Sequence, residues 1–299
     1  MRAVLLAHPA GHSLSPVLQN AAFEAAGLDV TYEAWDVPPE RLAATVAALR
    51  DDRSVLGANV TVPHKRTVMA TLDGLDPDAR AIGAVNVLRR TEAGLVGGNS
   101  DGAGFLRSLA EAGLDPAGRS VLLVGAGGAA RAVGWSLAAR GVASLSVANR
   151  TFETAEDLVA AWRQSFPKLR PRAVPTDELG EAVAVSDVVV NATSVGMERG
   201  GVDPDESPLP ASAWAGGPDR WAVDLVYRPR VPRFLRDADA AGLRTIGGLG
   251  MLLHQGAVAF EAWTGRPAPV AEMRAALHAA LGGDPPDALR DRPSERDRP

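Results

Sequence analysis

Residues 120–131 read S-V-L-L-V-G-A-G-G-A-A-R. The apolar run up to Val124 predicts a buried strand, and the run from Gly128 to Arg140 predicts a helix. Between them stands Gly125-x-Gly127-x-x-Ala130. In a strand–turn–helix setting this spacing is a dinucleotide fingerprint. Gly125 permits the tight turn, Gly127 lets the backbone approach a pyrophosphate, and Ala130 stands in for the third glycine. Gly128 and Ala129 open the helix, whose free N–H groups and positive dipole end suit phosphates. The competing reading is a plain glycine-rich turn.

Downstream, the alternation continues. A strand over 142–148 ends in Asn149-Arg150-Thr151, with no carboxylate before Glu153. An NAD site would carry Asp or Glu there to accept from the ribose 2′-OH. An arginine instead pairs with a 2′-phosphate, so Arg150 points to NADP. Its alternative is a solvated strand-end charge. Further strands over 187–191 and 221–225 end in A-T-S-V-G-M and V-Y-R-P. After Gly247-Gly248 come two helices, one beginning at the glycine hinge and one over 268–281. They add no strand to this unit and are expected to return to the first one.

Upstream, strands over 2–7, 30–36 and 55–62 alternate with helices over 16–26 and 40–50. A short helix is expected after Pro63, extended segments near 85–90 and 94–98, and a helix over 102–113. Strands alternating with helices predict βαβ units and a largely parallel sheet. The fold class is therefore α/β with two α/β domains. Residues 1–101 plus 248–283 form a substrate-binding domain, and 102–247 form a Rossmann-type dinucleotide-binding domain. The tail, 284–299, is rich in proline and alternating charge and reads as disordered.

Composition narrows the function. The chain has 299 residues, 46% hydrophobic and 22% charged, with a net charge of −5. That balance argues against nucleic acid as a partner. No apolar run is long enough for a membrane span, and the N-terminal run reads as a strand rather than a leader. The absence of cysteine excludes thiolate chemistry and Cys-ligated metal. It fits a cytoplasmic protein. Of the five histidines (8, 12, 64, 254, 278), His8 and His12 stand four residues apart but across a proline and a glycine, with no H-E-x-x-H motif, so no metal is expected. Ser194 lies in T-S-V-G rather than G-x-S-x-G, against a serine hydrolase. The acidic residues Asp203, Asp205 and Glu206 read as a solvated surface.

The stretch N-V-T-V-P-H-K, from Asn59 to Lys65, carries the first unit's chemistry. Asn59 and Thr61 share a strand face, and Pro63 stops the strand. Of Asn59, Thr61 and Lys65, the lysine is the one proton-transfer candidate, or else a surface lysine. Asp101, in N-S-D-G, either caps a helix or pairs with Lys65. Ser13 and Ser15, in H-S-L-S-P, either cap a helix or bind a carboxylate at its N-terminus. Asn86 lies in G-A-V-N-V.

Taken in order, these segments resemble the shikimate dehydrogenase (shikimate/quinate dehydrogenase) family over about residues 3–282. The motifs are H-S-L-S-P at 12–16, N-V-T-V-P-H-K at 59–65, G-A-V-N at 83–86 and N-S-D-G at 99–102. They continue as G-A-G-G-A-A-R at 125–131, N-R-T at 149–151, N-A-T-S-V-G-M at 191–197 and D-L-V-Y at 224–227. G-G-L-G-M-L-L-H-Q-G at 247–256 and W-T-G at 263–265 complete the series. The resemblance implies reversible, NADPH-dependent reduction of 3-dehydroshikimate to shikimate, with Lys65 and Asp101 as the catalytic pair. Ser13, Ser15 and Tyr227 would hold the substrate carboxylate. Thr61, Asn86, Asp101 and Gln255 would hold ring hydroxyls. NADP would lie on Gly125, Ala126, Gly127, Gly128, Ala129, Asn149, Arg150, Thr151, Thr193, Ser194, Met197, Leu225 and Gly248. A homodimer is the candidate assembly. Ser100 and Val87 stand where the family commonly has threonine. Thr154 stands where many NADP-using members carry a second basic residue, which implies a weaker NADP preference. The alternatives are a quinate/shikimate dehydrogenase of broad specificity, an aminoshikimate dehydrogenase, or a dinucleotide-binding sensor without activity.

Overall fold

The protein is described here by a computed structural model covering residues 1–198, 203–214, 216, 217 and 219–282. The expected disordered tail, 284–299, lies outside the described residues. The chain divides into two compact units. The first comprises Met1–Ser108, Gly127–Leu137 and Gly250–Ala280; the second is built from Leu109–Ala126 and Ala138–Leu249.

The first unit opens with β1 (Arg2–Ala7), α1 (Ser15–Ala25), β2 (Thr31–Asp36), α2 (Leu42–Asp51) and β3 (Val55–Val60). Then follow β4 (Gly74–Leu75), α3 (Pro77–Ile82), β5 (Val87–Thr91), β6 (Gly94–Gly98) and α4 (Asp101–Glu111). Its sheet runs β2-β1-β3-β5-β6-β4. Pairing is parallel across β2, β1 and β3 and between β4 and β6, but antiparallel where β5 meets β3 and β6. The expectation of a largely parallel sheet thus holds only in part. Glu92 and Ala93 alone join β5 to β6, and a connection that short forces a hairpin. The short helix expected after Pro63 is a turn followed by a 3-10 segment, Thr67–Thr71. Val4, Leu6, Val46, Leu49, Ala58, Val60 and Leu88 pack one core of this unit.

The second unit contains β7 (Ser120–Val124), from which α5 (Gly128–Arg140) leads to β8 (Ser144–Ala148), α6 (Phe152–Ser165) and β9 (Arg172–Val174). It continues with α7 (Leu179–Val185), β10 (Val188–Asn191), β11 (Trp221–Asp224), α8 (Arg233–Ala240) and β12 (Arg244–Ile246). All six strands are parallel, in the order β12-β11-β10-β7-β8-β9. Succession reverses between β7 and β10, and ligands of such sheets bind outside the carboxyl ends of strands at that point. Leu122, Val189, Ala222, Phe234 and Leu235 lie in its core. The edge strands β9 and β12 have three residues each, too few to show as apolar runs.

The last helices, α9 (Leu249–Thr264) and α10 (Val270–Ala280), pack against the first unit as expected. Gln19 Nε2 donates to the Gly256 carbonyl at 2.9 Å, and a Cβ on Gly256 would overlap Leu18. Trp263 Nε1 donates to the Leu88 carbonyl at 3.0 Å. Among the described residues, no helix is long and apolar enough to cross a membrane, and no cluster of potential ligands could hold a metal.

Candidate active site

In the first unit, β3 delivers Asn59 to a buried position and stops at Val60. The Thr61 N–H still bonds the Leu6 carbonyl at 3.0 Å, so Thr61 stays extended and half-buried. The turn that follows is pinned by His64, whose Nε2 lies 2.7 Å from the Val37 carbonyl. The Lys65 backbone is held as well, since its carbonyl accepts the Val85 N–H at 2.8 Å.

That turn aims the lysine at the start of α4. Lys65 Nζ donates to Asp101 Oδ2 at 2.6 Å, with side-chain exposures of only 13% and 4%. At that burial the pair is weakly screened, unlike a surface ion pair. Asp101 does not cap its helix through its carboxylate. The first helical N–H is taken instead by Asn99, whose Oδ1 accepts the Asp101 N–H at 3.0 Å. Both Asp101 oxygens therefore face side chains.

The second Asp101 oxygen accepts from Asn86 Nδ2 at 2.8 Å. The same amide nitrogen reaches Ser100 Oγ at 3.0 Å and Gln255 Oε1 at 3.4 Å. Asn86 Oδ1 accepts the Ser100 N–H at 2.7 Å. Behind it, Asn59 Nδ2 donates to the Asn86 carbonyl at 3.1 Å and Asn59 Oδ1 accepts from Tyr32 Oη at 2.7 Å. Burial pushes the Tyr32 phenol well above its ordinary range, so it stays a donor. Gln255 reaches this cluster because α9 meets α4 at Gly104, where a Cβ would stand 2.5 Å from the Gln255 N. Lys65, Asp101, Asn86, Ser100 and Gln255 thus form one polar cluster, drawn from four separate chain segments. Ser13 and Ser15 form a local pair at the start of α1, the Ser15 N–H donating to Ser13 Oγ at 3.1 Å. The cap position itself falls on Leu14 with no side-chain capping bond, so neither serine takes the capping role expected of it.

The glycine turn joins β7 to α5 as its spacing predicts. Gly125 has φ +109° and a Cβ there would stand 2.9 Å from Thr193 Cγ2. At Gly127 a Cβ would meet no protein atom within 4 Å, so the turn leaves its backbone open to a ligand. Asn149 Oδ1 accepts the Ala126 N–H at 3.2 Å and Asn149 Nδ2 donates to the Thr151 carbonyl at 2.9 Å. Arg150 is exposed and pairs with no described carboxylate. A free guanidinium beside an open glycine turn fits a phosphorylated dinucleotide. Leu225 and Tyr227 lie just after β11, and Gly248 is pressed so closely on Leu225 that a Cβ would overlap its carbonyl. Thr193, Ser194 and Met197 lie in the loop after β10.

Two residues behind these loops were not singled out from sequence. Asn191 and Asp224 are fully buried polar ends of the apolar strands β10 and β11. The signal was present in V-V-V-N and W-A-V-D, but their pairing depends on sheet order. The acidic residues Asp203, Asp205 and Glu206 are exposed as expected; at that surface the Asp205 side chain pairs with Arg236 and its carbonyl accepts from Arg233 at 3.3 Å.

Comparison with known proteins bears on both units. Residues 5–88 match the family model for the shikimate dehydrogenase substrate binding domain, 108–198 that for shikimate / quinate 5-dehydrogenase, and 248–278 that for the shikimate 5′-dehydrogenase C-terminal domain. A shikimate dehydrogenase (NADP(+)) of Moorella thermoacetica is 48% identical over 286 residues, covering 93% of this chain and 92% of the relative. One of Symbiobacterium thermophilum is 45% identical over 284 residues, covering 94% and 95%. The structure of shikimate 5-dehydrogenase from Thermus thermophilus, in complex with NADP(H) and shikimate, superposes with a TM-score of 0.82 at 41% identity, covering 94% of this chain and 100% of that one. A lysine–aspartate cluster in one unit, an open dinucleotide turn at the other's sheet and likeness along nearly the whole chain agree, and the chain belongs to the shikimate/quinate dehydrogenase family.

Proposed function

We propose that this chain is an NADP-dependent shikimate dehydrogenase whose proton-transfer pair is Lys65 and Asp101. The buried 2.6 Å contact between them carries the assignment of roles. NADP, when bound, supplies or takes up the hydride at the substrate carbon that bears the reacting oxygen. During reduction Lys65 gives a proton from Nζ to that oxygen, which turns the ketone into the alcohol. During oxidation the neutral lysine takes it back. Asp101 holds Nζ in place, while Asn86 fixes the other carboxylate oxygen so that the pair keeps one orientation.

The remaining groups bind. Thr61, Asn86 and Gln255 bring a hydroxyl and two amides, which suit a ring with several hydroxyls. Ser13, Ser15 and Tyr227 serve the substrate carboxylate. Gly125–Ala129 would cradle the pyrophosphate, as the open face of Gly127 allows. Arg150, supported by the ordered Asn149–Thr151 turn, would hold the 2′-phosphate. Thr193, Ser194, Met197, Leu225 and Gly248 would line the rest of the cofactor. With Thr154 in place of a second basic side chain, discrimination against NAD falls largely to Arg150.

Initial rates with shikimate and with quinate, each against NADP and NAD, test this reading. The expected order puts shikimate with NADP first. Equal rates with quinate would favour a broad-specificity enzyme, and no oxidation of either would favour a sensor.

A further inference from the structure

Asp224 is fully buried and has no part in the steps above. It ends β11 directly beside Asn191, which ends β10. Asn191 Nδ2 donates to Asp224 Oδ1 at 3.0 Å, and the Val226 N–H donates to the same oxygen at 2.9 Å. On its other side, Asn191 Oδ1 accepts the Thr193 N–H at 3.0 Å and the Thr193 hydroxyl at 2.7 Å. Thr193 Oγ1 in turn accepts the Val195 N–H at 3.1 Å. Two successive loops at the carboxyl edge of the sheet, 192–197 and 225–227, therefore hang on one pair of buried side chains.

The other Asp224 oxygen, Oδ2, is buried without a hydrogen-bond partner. No described cation pairs with the carboxyl. An ionised carboxylate so placed is costly, because it is buried from bulk solvent and no described cation compensates it. Burial accordingly pushes this carboxyl up to about 7.

We propose that Asp224 is a positioning residue of the cofactor site, acting through Asn191 and the Val226 amide to hold the 192–197 and 225–227 loops as one piece. The proposal rests on the reading that places NADP on these loops. It predicts that the shape and hydrogen bonding of the side chain matter and that its negative charge does not.

Three variants of the full chain test it: Asp224→Asn, Asp224→Leu and Thr193→Val. KM for NADPH and kcat are measured, together with hydrogen exchange of the cofactor-free protein over 191–197 and 225–227. Asp224→Asn should stay within about three-fold of wild type throughout, because the amide preserves the acceptor without charge. Asp224→Leu should exchange faster in both loops and raise KM for NADPH about ten-fold or more, with kcat less affected. If the leucine variant does not fold, Thr193→Val cuts the same network at its half-buried end and should loosen 193–195. Wild-type exchange in the loops of the loosened variants would refute the brace. An asparagine variant as impaired as the leucine one would show that the charge is needed and overturn the proposal. Loosened loops with an unchanged KM for NADPH would refute their place in the cofactor site, and with it the functional half of the inference.

Discussion

The side chain of Lys65 lies along Gly128, where a Cβ would stand 3.2 Å from Lys65 Cβ and 3.3 Å from its Cδ. Lys65 thus leans on the first residue of α5, the helix that follows the glycine turn. Gly128→Ala should displace the lysine stem by a few tenths of an ångström. Since a misplacement of about 1 Å can cost ~10²-fold in rate, a kcat loss of about three- to ten-fold is expected. Steady-state kinetics beside a direct NADPH titration would check it; a weaker Kd with unchanged kcat would mean that the glycine serves the cofactor alone.

Lys65→Met keeps most of the stem volume and removes the proton. General acid–base help contributes about 10²–10⁴-fold, and kcat should fall by that order. KM for shikimate should move far less. A variant with near-normal kcat would remove Lys65 from the mechanism.

Arg150→Ala should weaken NADPH and leave NADH alone. A hydrogen bond to a charged group contributes about 1.5–3 kcal/mol, which corresponds to a rise in KM for NADPH of about ten- to a hundred-fold. Parallel rates with the two cofactors give the answer, and an equal loss for both would place the 2′-phosphate elsewhere.

Gly57→Ala probes packing rather than chemistry. A Cβ at Gly57 would overlap the Trp263 ring and stand 2.7 Å from the Leu88 carbonyl. Trp263 cannot turn away without losing its bond to that same carbonyl. Overpacking of this kind costs about 1–3 kcal/mol, and the midpoint of urea unfolding should fall accordingly.

Asp224 makes stability depend on pH in an unusual direction for a carboxylate. Its proton leaves the unfolded chain near the ordinary 3.8 but stays in the folded protein until about 7. Between those values the folded state binds more protons, so this contribution declines as pH rises through the window. Asp224→Asn lacks it. Urea unfolding at about pH 5 and about pH 8 should show the asparagine variant gaining on wild type at the higher pH. A pH-independent difference would mean that Asp224 is already ionised in the fold.

The dinucleotide half was legible because its signals are local. Strand, glycines and helix lie within Ser120–Arg140, and Asn149-Arg150-Thr151 follows the next strand. The Lys65–Asp101 cluster was legible only by likeness. Lys65 and Asp101 are 36 residues apart, and each alone read more readily as a surface lysine or a helix cap. What brings them together is the pairing of β3, β5 and β6, including a hairpin that a parallel reading did not foresee. Asn191 and Asp224 stayed hidden for a related reason. A polar residue closing an apolar strand reads as a boundary until the neighbouring strand is known. The lean of Lys65 on Gly128 has no sequence signal, because it records a side chain that is absent.

The return of α9 and α10 to the first unit has a consequence for how the protein is made. The sheet of that unit is complete once residue 98 has been synthesised, yet the helices that cover Leu18, Gln19 and Leu88 come only after residue 248. On the ribosome, therefore, α2 can pack on the early sheet at once, but the patches around Leu18, Gln19 and Leu88 must wait uncovered for some 150 residues, about ten to thirty seconds at ordinary elongation rates. The six-stranded parallel sheet is finished by Ile246 and can settle first. The order of synthesis and the order of completion are thus reversed, and the uncovered interval is when this chain most needs protection from aggregation.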